Sequence, residues 1–206
     1  MSSHTVATTL SDATFTMPAE WENHAATWMA WPYNPQDWPG KFGPIPWVFA
    51  EIVRHLVNHG ENVRILVNDE ETEKKAKAVL HKVLKNFDCI FFSMCPYDRC
   101  WLRDTGPLFV KRGAQMQATL WDFNGWAKYP NFHRDAAVGK FIQQEVNRPG
   151  VYANNKDAHI VLEGGAIDVD GQGNLVATEE CLVPMGKIQE RNPDFSREDY
   201  EKVFEK

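Results

Sequence analysis

Between residues 21 and 47 the chain places Trp21, Trp28, Trp31, Trp38 and Trp47 among five prolines, Pro32, Pro35, Pro39, Pro44 and Pro46. Each proline removes a backbone donor and restricts the residue before it, so no long helix can run through this stretch. The sequence therefore predicts an ordered, aromatic-rich loop here, and long ordered loops usually carry function.

Beyond that loop the periodicity is easier to read. Apolar residues recur at helical spacing from Trp47 to Asn58 and stop before Gly60, which predicts a helix. Asn62–Val67 reads as a short buried strand. Asp69-Glu70-Glu71 opens a second helix expected to run to about Lys85, acidic first and basic later, as the helix dipole favours. Cys89–Phe92 reads as a strand, Trp101–Pro107 as a loop entering a strand at Leu108, and Gln117–Phe123 as a further strand. Asn131–Val146 reads as a helix closed by Arg148-Pro149-Gly150. The apolar run His159–Leu162 leads into Glu163-Gly164-Gly165. Ala166–Val169 and Asn174–Thr178 flank Asp170-Gly171-Gln172-Gly173, a strong hairpin signal. The sum is an α/β (α+β) chain, expected to form a single domain over 1–206 with a flexible leader at 1–16.

A net charge of −6 leaves no basic face for phosphates, which argues against a nucleic-acid partner. No apolar run approaches membrane-spanning length, and no basic-then-apolar leader is visible, so the cytoplasm is the expected compartment. The four cysteines, Cys89, Cys95, Cys100 and Cys181, show no disulfide framework. Cys95 and Cys100 lack a downstream Cys/His pair to complete a metal site. Cys181 is expected as a buried small residue in an apolar strand. The run from Asp168 to Glu179 superficially fits a calcium loop, but Gln172 stands where Asp or Asn belongs and the flanks read as strands, so calcium is rejected.

Two strand-end carboxylates hold the chemical interest. Asp104 lies beside Trp101, so a flat cation could pair with the carboxylate while the indole covers its face. Taken alone, Arg103-Asp104 also reads as a surface ion pair in a turn. Glu163 precedes two glycines, which allow close approach of a ligand or another backbone. Converging in one cleft, the two acids could hold a guanidinium or bias a histidine toward general-acid work. Phe123-Asn124-Gly125-Trp126 is read as a supporting wall of that cleft.

Met17-Pro18-Ala19-Glu20-Trp21, Trp28-Met29-Ala30-Trp31-Pro32, Trp101–Pro107, Phe123–Trp126, Leu162–Gly165, Thr178–Leu182 and Arg191-Asn192-Pro193 occur in this order. Together they resemble the agmatine deiminase family, also called the bacterial-type or Porphyromonas-type peptidyl-arginine deiminase family. The resemblance implies a pentein fold, a five-bladed β/α propeller of ββαβ-type units, here with its N-terminal blades only. It implies hydrolysis of a guanidine to a ureido group: agmatine and water give N-carbamoylputrescine and ammonia, in putrescine biosynthesis. A cysteine thiolate attacks the guanidinium carbon, a histidine protonates the departing ammonia, and water cleaves the thiouronium. By the same resemblance Asp104 binds the guanidinium nitrogens and Trp101 lies beside the substrate. Glu163 orients and charges the catalytic histidine, while Gly164 and Gly165 let the substrate lie close. A homodimer and a small cationic guanidine substrate are implied; no cofactor or metal is. The family pattern puts the histidine in a Gly-His-Val-Asp stretch and the nucleophile near the C-terminus, both beyond Lys206. The chain is therefore expected to be the N-terminal part of a deiminase, inactive alone. A peptidyl or free arginine is the alternative substrate, and a catalytically inactive guanidinium-binding or scaffold protein the alternative of another class.

Overall fold

The computed structural model of the chain describes residues 14–155, 158–183, 191–193 and 195–205. Its first unit is a three-stranded parallel sheet in the order β1 (Thr27–Ala30), β2 (Val63–Val67), β3 (Ile90–Met94), crossed by α1 (Ile45–Asn58) and α2 (Glu70–Leu80). Central β2 alternates between two interiors. Val63, Ile65 and Val67 face a core built with Trp31, Val53, Ala76 and Leu80, whereas Leu66 faces a second core with Tyr97, Val138 and Ile142. A strand buried on both faces is apolar nearly throughout, which is why its sequence reads as a run rather than an alternation.

The tryptophan–proline stretch is ordered, but not all of it is loop. Thr27–Ala30 pairs with β2 as β1, because the residues there precede the first proline and keep their backbone donors. Pro35–Asp37 forms one 3-10 turn capped by the Asn34 side chain, and Pro46 sits in the first turn of α1, where no donor is needed. Helix α2 opens on an Asp69 side-chain cap to the Thr72 amide at 2.7 Å. It closes at Leu80, earlier than expected, because the next bonds tighten to i→i−3 (Lys82 to Val79, Val83 to Leu80). This bends Val83, Leu84 and Phe87 onto the core.

After the first sheet come α3 (Leu102–Thr105), β4 (Leu108–Arg112), β5 (Gln115–Leu120), α4 (His133–Glu145) and β6 (Gly150–Tyr152). Strands β4 and β5 form a hairpin, and β6 adds parallel to β5. The expected strand over 159–162 is mostly not a strand. Only Ala158–His159 (β8) pairs, with Asn154–Asn155 (β7), and Val161 makes a single bridge to Asp122. The hairpin signal is realised as β9 (Ile167–Val169) and β10 (Leu175–Ala177). Its Asp170 carboxylate accepts from the Gln172 and Asn174 amides, so it serves the turn itself. Two short helices, α5 (Glu179–Leu182) and α6 (Arg197–Phe204), close a third core around Leu108, Leu162, Ile167 and Tyr200. Of the leader expected over 1–16, residues 1–13 lie outside the described residues. Thr16 is tied to Lys111 by backbone hydrogen bonds of 2.9 Å in both directions. Among the described residues no helix is long and apolar enough to cross a membrane.

The segment between β3 and α3 has no regular structure, yet it is pinned at both ends. The Tyr97 amide donates to Asn68 Oδ1 at 2.9 Å, and its hydroxyl donates to the Trp31 and Leu66 carbonyls. The Asp135 carboxylate, wholly buried in the first turn of α4, accepts from the Asp98 and Arg99 amides at 2.7 and 3.0 Å. Its other oxygen has no hydrogen-bond partner among the described residues. Burial pushes the Asp135 carboxyl up to about 6, helped by Asp98 and opposed by the two amides and Arg99. A raised carboxyl stabilises the fold fully below its unfolded value of 3.8, and that contribution is lost as pH rises through about 6. Urea unfolding at pH 4.5 and 7.5 should therefore show wild type losing about 2 kcal/mol more than Asp135→Asn across this window. Parallel pH slopes for the two proteins would refute the assignment.

Candidate functional site

Trp101–Pro107 is a single helical turn rather than a loop. The Trp101 carbonyl accepts from the Asp104 amide, the Thr105 amide and the Thr105 hydroxyl at 3.1–3.2 Å, which winds the segment into α3. Pro107 then ends the turn and β4 begins. Winding separates the two charges read as neighbours in sequence. Arg103 turns out to pair with Glu20 and to donate to the Ile167 carbonyl, while Asp104 points inward, half-buried. Trp101 leans on Trp38, ring centroids 5.4 Å apart, and Trp38 packs in turn on Phe49 of α1. Part of the tryptophan–proline segment thus backs the site's own indole.

Glu163 lies at the entry to a 3-10 turn, Gly164–Ala166, and is almost fully buried. Arg191 Nε lies 3.0 Å from both of its carboxylate oxygens. Arg191 is itself held by its chain. Asn124 Nδ2 donates to the Arg191 carbonyl at 3.1 Å. The Asn192 side chain exchanges two 2.8 Å bonds with the Val161 backbone, as a neighbouring strand would, and reaches the Tyr200 hydroxyl at 2.7 Å. The Arg-Asn-Pro motif is therefore a strap across residues 161–163.

A cavity of about 300 Å³ opens between these elements. Trp101, Trp126 and Tyr129 give it aromatic walls, and Asp104, Glu163 and Arg191 give it charge. Two acids against one arginine leave it one net negative charge, suited to a flat monocation covered by an indole. Burial pushes the Asp104 carboxyl up, and the nearby Glu163 charge adds to this. The Gly165 backbone N–H, Arg103 and Arg191 pull it down. A larger groove of about 740 Å³ crosses the exposed side of α1, lined by Trp47, Val48, Ile52 and their neighbours. It brings no buried ion pair into reach, so the chemistry belongs to the smaller cavity.

Of the sequence-derived site residues, Trp101, Asp104, Glu163 and Gly165 meet in this cavity. Gly164 does not line it. A Cβ on Gly164 would run into the Arg103 carbonyl, so its bareness lets the turn pack on α3. A Cβ on Gly165 would instead fall well inside 3.0 Å of Asp104 Oδ1, so this glycine makes room for the carboxylate. Cys181 is neither in a strand nor fully buried. It sits in α5, accepts a hydrogen bond from the Thr178 hydroxyl at 3.1 Å, and lines the cavity. Sequence reading missed the parts played by Arg191, Tyr129 and Cys181. Arg191 was read only as the first residue of the Arg-Asn-Pro motif, and nothing near it in sequence joins it to Glu163, 28 residues away. Among the described residues, no cluster of His, Cys, Asp and Glu could hold a metal ion.

In this α+β chain two acids carried by short helical turns thus open on one cavity walled by an indole. The profile of the Porphyromonas-type peptidyl-arginine deiminases matches residues 16–206. The agmatine deiminase of Ectopseudomonas mendocina (strain ymp) is 34% identical over 206 residues, covering 97% of this chain and 52% of that protein. That of Pseudomonas fluorescens (strain SBW25) is 36% identical, covering 92% and 49%. The solved agmatine deiminase of Enterococcus faecalis superposes with a TM-score of 0.77 at 27% identity, over 91% of this chain and 49% of that one. The chain belongs to the Porphyromonas-type peptidyl-arginine deiminase family, and it spans about half the length of the curated relatives it matches.

The two glycines should respond differently to a methyl group. Gly164→Ala meets backbone that cannot yield and is expected to cost about 2–3 kcal/mol in chemical denaturation. Gly165→Ala meets the end of a side chain that can swing aside and should cost less than about 1 kcal/mol. The reverse order would show that Gly164 is the residue with room around it.

Proposed function

We propose that these residues form the guanidinium-binding part of an agmatine deiminase. The observation that carries the proposal is the convergence of Trp101, Asp104 and Glu163 on one cavity, in a chain about a third identical to agmatine deiminases. In this reading Asp104 accepts from the guanidinium N–H groups, and the Trp101 ring covers the cation's face. Gly165 keeps the carboxylate free to approach. The carbon of a resonance-stabilised guanidinium is a poor electrophile, so binding must hold it in line with its attacker. In the same reading Glu163 orients a histidine that protonates the departing ammonia, and its burial and ion pair with Arg191 support a fixed carboxylate for that task. The family pattern puts that histidine and the attacking thiolate beyond Lys206, so this stretch binds and orients while the remainder of the protein cuts. The same reading assigns the small sheets to blades of a pentein propeller, and it carries the expected homodimer and cytoplasmic setting with it.

An arginine residue in a peptide presents the same guanidinium, and the matching family profile carries that name. A ureido assay on the full-length protein with agmatine, free arginine and an arginine peptide separates these substrates. On the 206-residue chain, isothermal titration with agmatine should show binding. Asp104→Ala should weaken it at least tenfold with the fold retained by circular dichroism. Unchanged affinity in that variant would remove Asp104 from the site.

A further inference from the structure

We infer that Arg191 is a positioning residue for this site: its guanidinium fixes the Glu163 carboxylate and serves as the counter-ion that lets two acids share one small cavity. The inference rests on the guanidinium reading and deepens it.

The geometry has three parts. Glu163 and Arg191 are each nearly fully buried, with Nε at 3.0 Å from both carboxylate oxygens, so the carboxylate cannot rotate away from that contact. Arg191 cannot follow it either, because Asn124 grips its carbonyl and Asn192 is bonded into the Val161 backbone. Asp104 opens on the same cavity. Two carboxylates in one poorly hydrated site repel each other, and without compensation one of them takes up a proton. A protonated acid offers a guanidinium one charge fewer. The charges facing the pair are Arg103 of α3 and Arg191 itself. The neutral groups are Tyr129 and Cys181 of α5, both on the cavity wall, and Tyr200 of α6, which reaches Asn192. Arg103 is exposed and committed to Glu20, so Arg191 is the buried counter-ion. Its pull on Asp104 opposes the effects of burial and of the Glu163 charge.

The role separates from a purely structural one through pH. As pH falls, Asp104 is protonated and agmatine affinity drops, and the midpoint of that loss reports the charge around Asp104. Arg191→Gln should move the midpoint up by about one pH unit or more, while Arg191→Lys should leave it near the wild-type position. A neutral residue opposite Glu163 leaves a buried charge unpaired and can unfold the chain. Glu163→Gln with Arg191→Gln removes both charges, and its midpoint should return to within about half a unit of wild type. Titration calorimetry with agmatine from pH 4 to 8.5 reads all four proteins, each as the full-length enzyme with its attacking cysteine replaced so that agmatine is bound and not turned over. A uniform loss of affinity in Arg191→Gln with no shift in midpoint would overturn the inference. So would a double variant whose midpoint stays displaced from wild type. If the full-length protein with only its attacking cysteine replaced does not bind agmatine at any pH, the guanidinium reading itself falls and this inference falls with it.

Discussion

A single buried carboxylate decides where the site's first wall stands. Asp135, at the start of α4, accepts from two successive amides in the irregular segment after β3. Buried backbone donors must find partners, and in the absence of a strand or helix a side chain has to supply them. Because the Asp98 and Arg99 amides are fixed, Arg99 lies over the Tyr129 ring at 3.6 Å from its centroid and reaches Asp37. Two residues further on, Trp101 meets Trp38 and its carbonyl organises α3. The indole is thus held by Trp38 of the tryptophan–proline segment, and the helical turn that carries Asp104 starts from backbone pinned to α4.

The opposite wall is built by the same physical device in reverse. There a side-chain amide, Asn192, imitates a strand's backbone against Val161, and so delivers Arg191 to Glu163. An exposed ion pair contributes little, whereas one enclosed as this is becomes costly to break once made. The cavity therefore has two walls set by long-range contacts.

Elements with strong local signals were legible in the sequence. The helix after Trp47, strand β2 and the β9–β10 hairpin follow from periodicity and turn chemistry, and their positions agree with the reading to within a few residues. Asp104 and Glu163 could be singled out because glycine or an aromatic stood beside them. What could not be read depended on partners distant in sequence. Trp101–Pro107 looked like a loop because four residues give no helical period; the bonds to the Trp101 carbonyl become visible only in space. Arg191 lies 28 residues from Glu163, and no local pattern announces that pairing. Gly164 and Gly165 look alike as letters. They differ only in what each faces, backbone for one and a carboxylate for the other.

The order of strands in the first sheet also has a consequence in time. β1, β2 and β3 lie side by side in the order in which they are synthesised, and their core with α1 and α2 needs no residue beyond Phe92. Contacts between consecutive elements form early, and those that must wait for distant chain form late. The βαβαβ unit can therefore consolidate on the growing chain before Trp101 has been made. Glu163 then remains without its counter-ion until Arg191 emerges, so the charged cavity is among the last parts of this stretch to take shape.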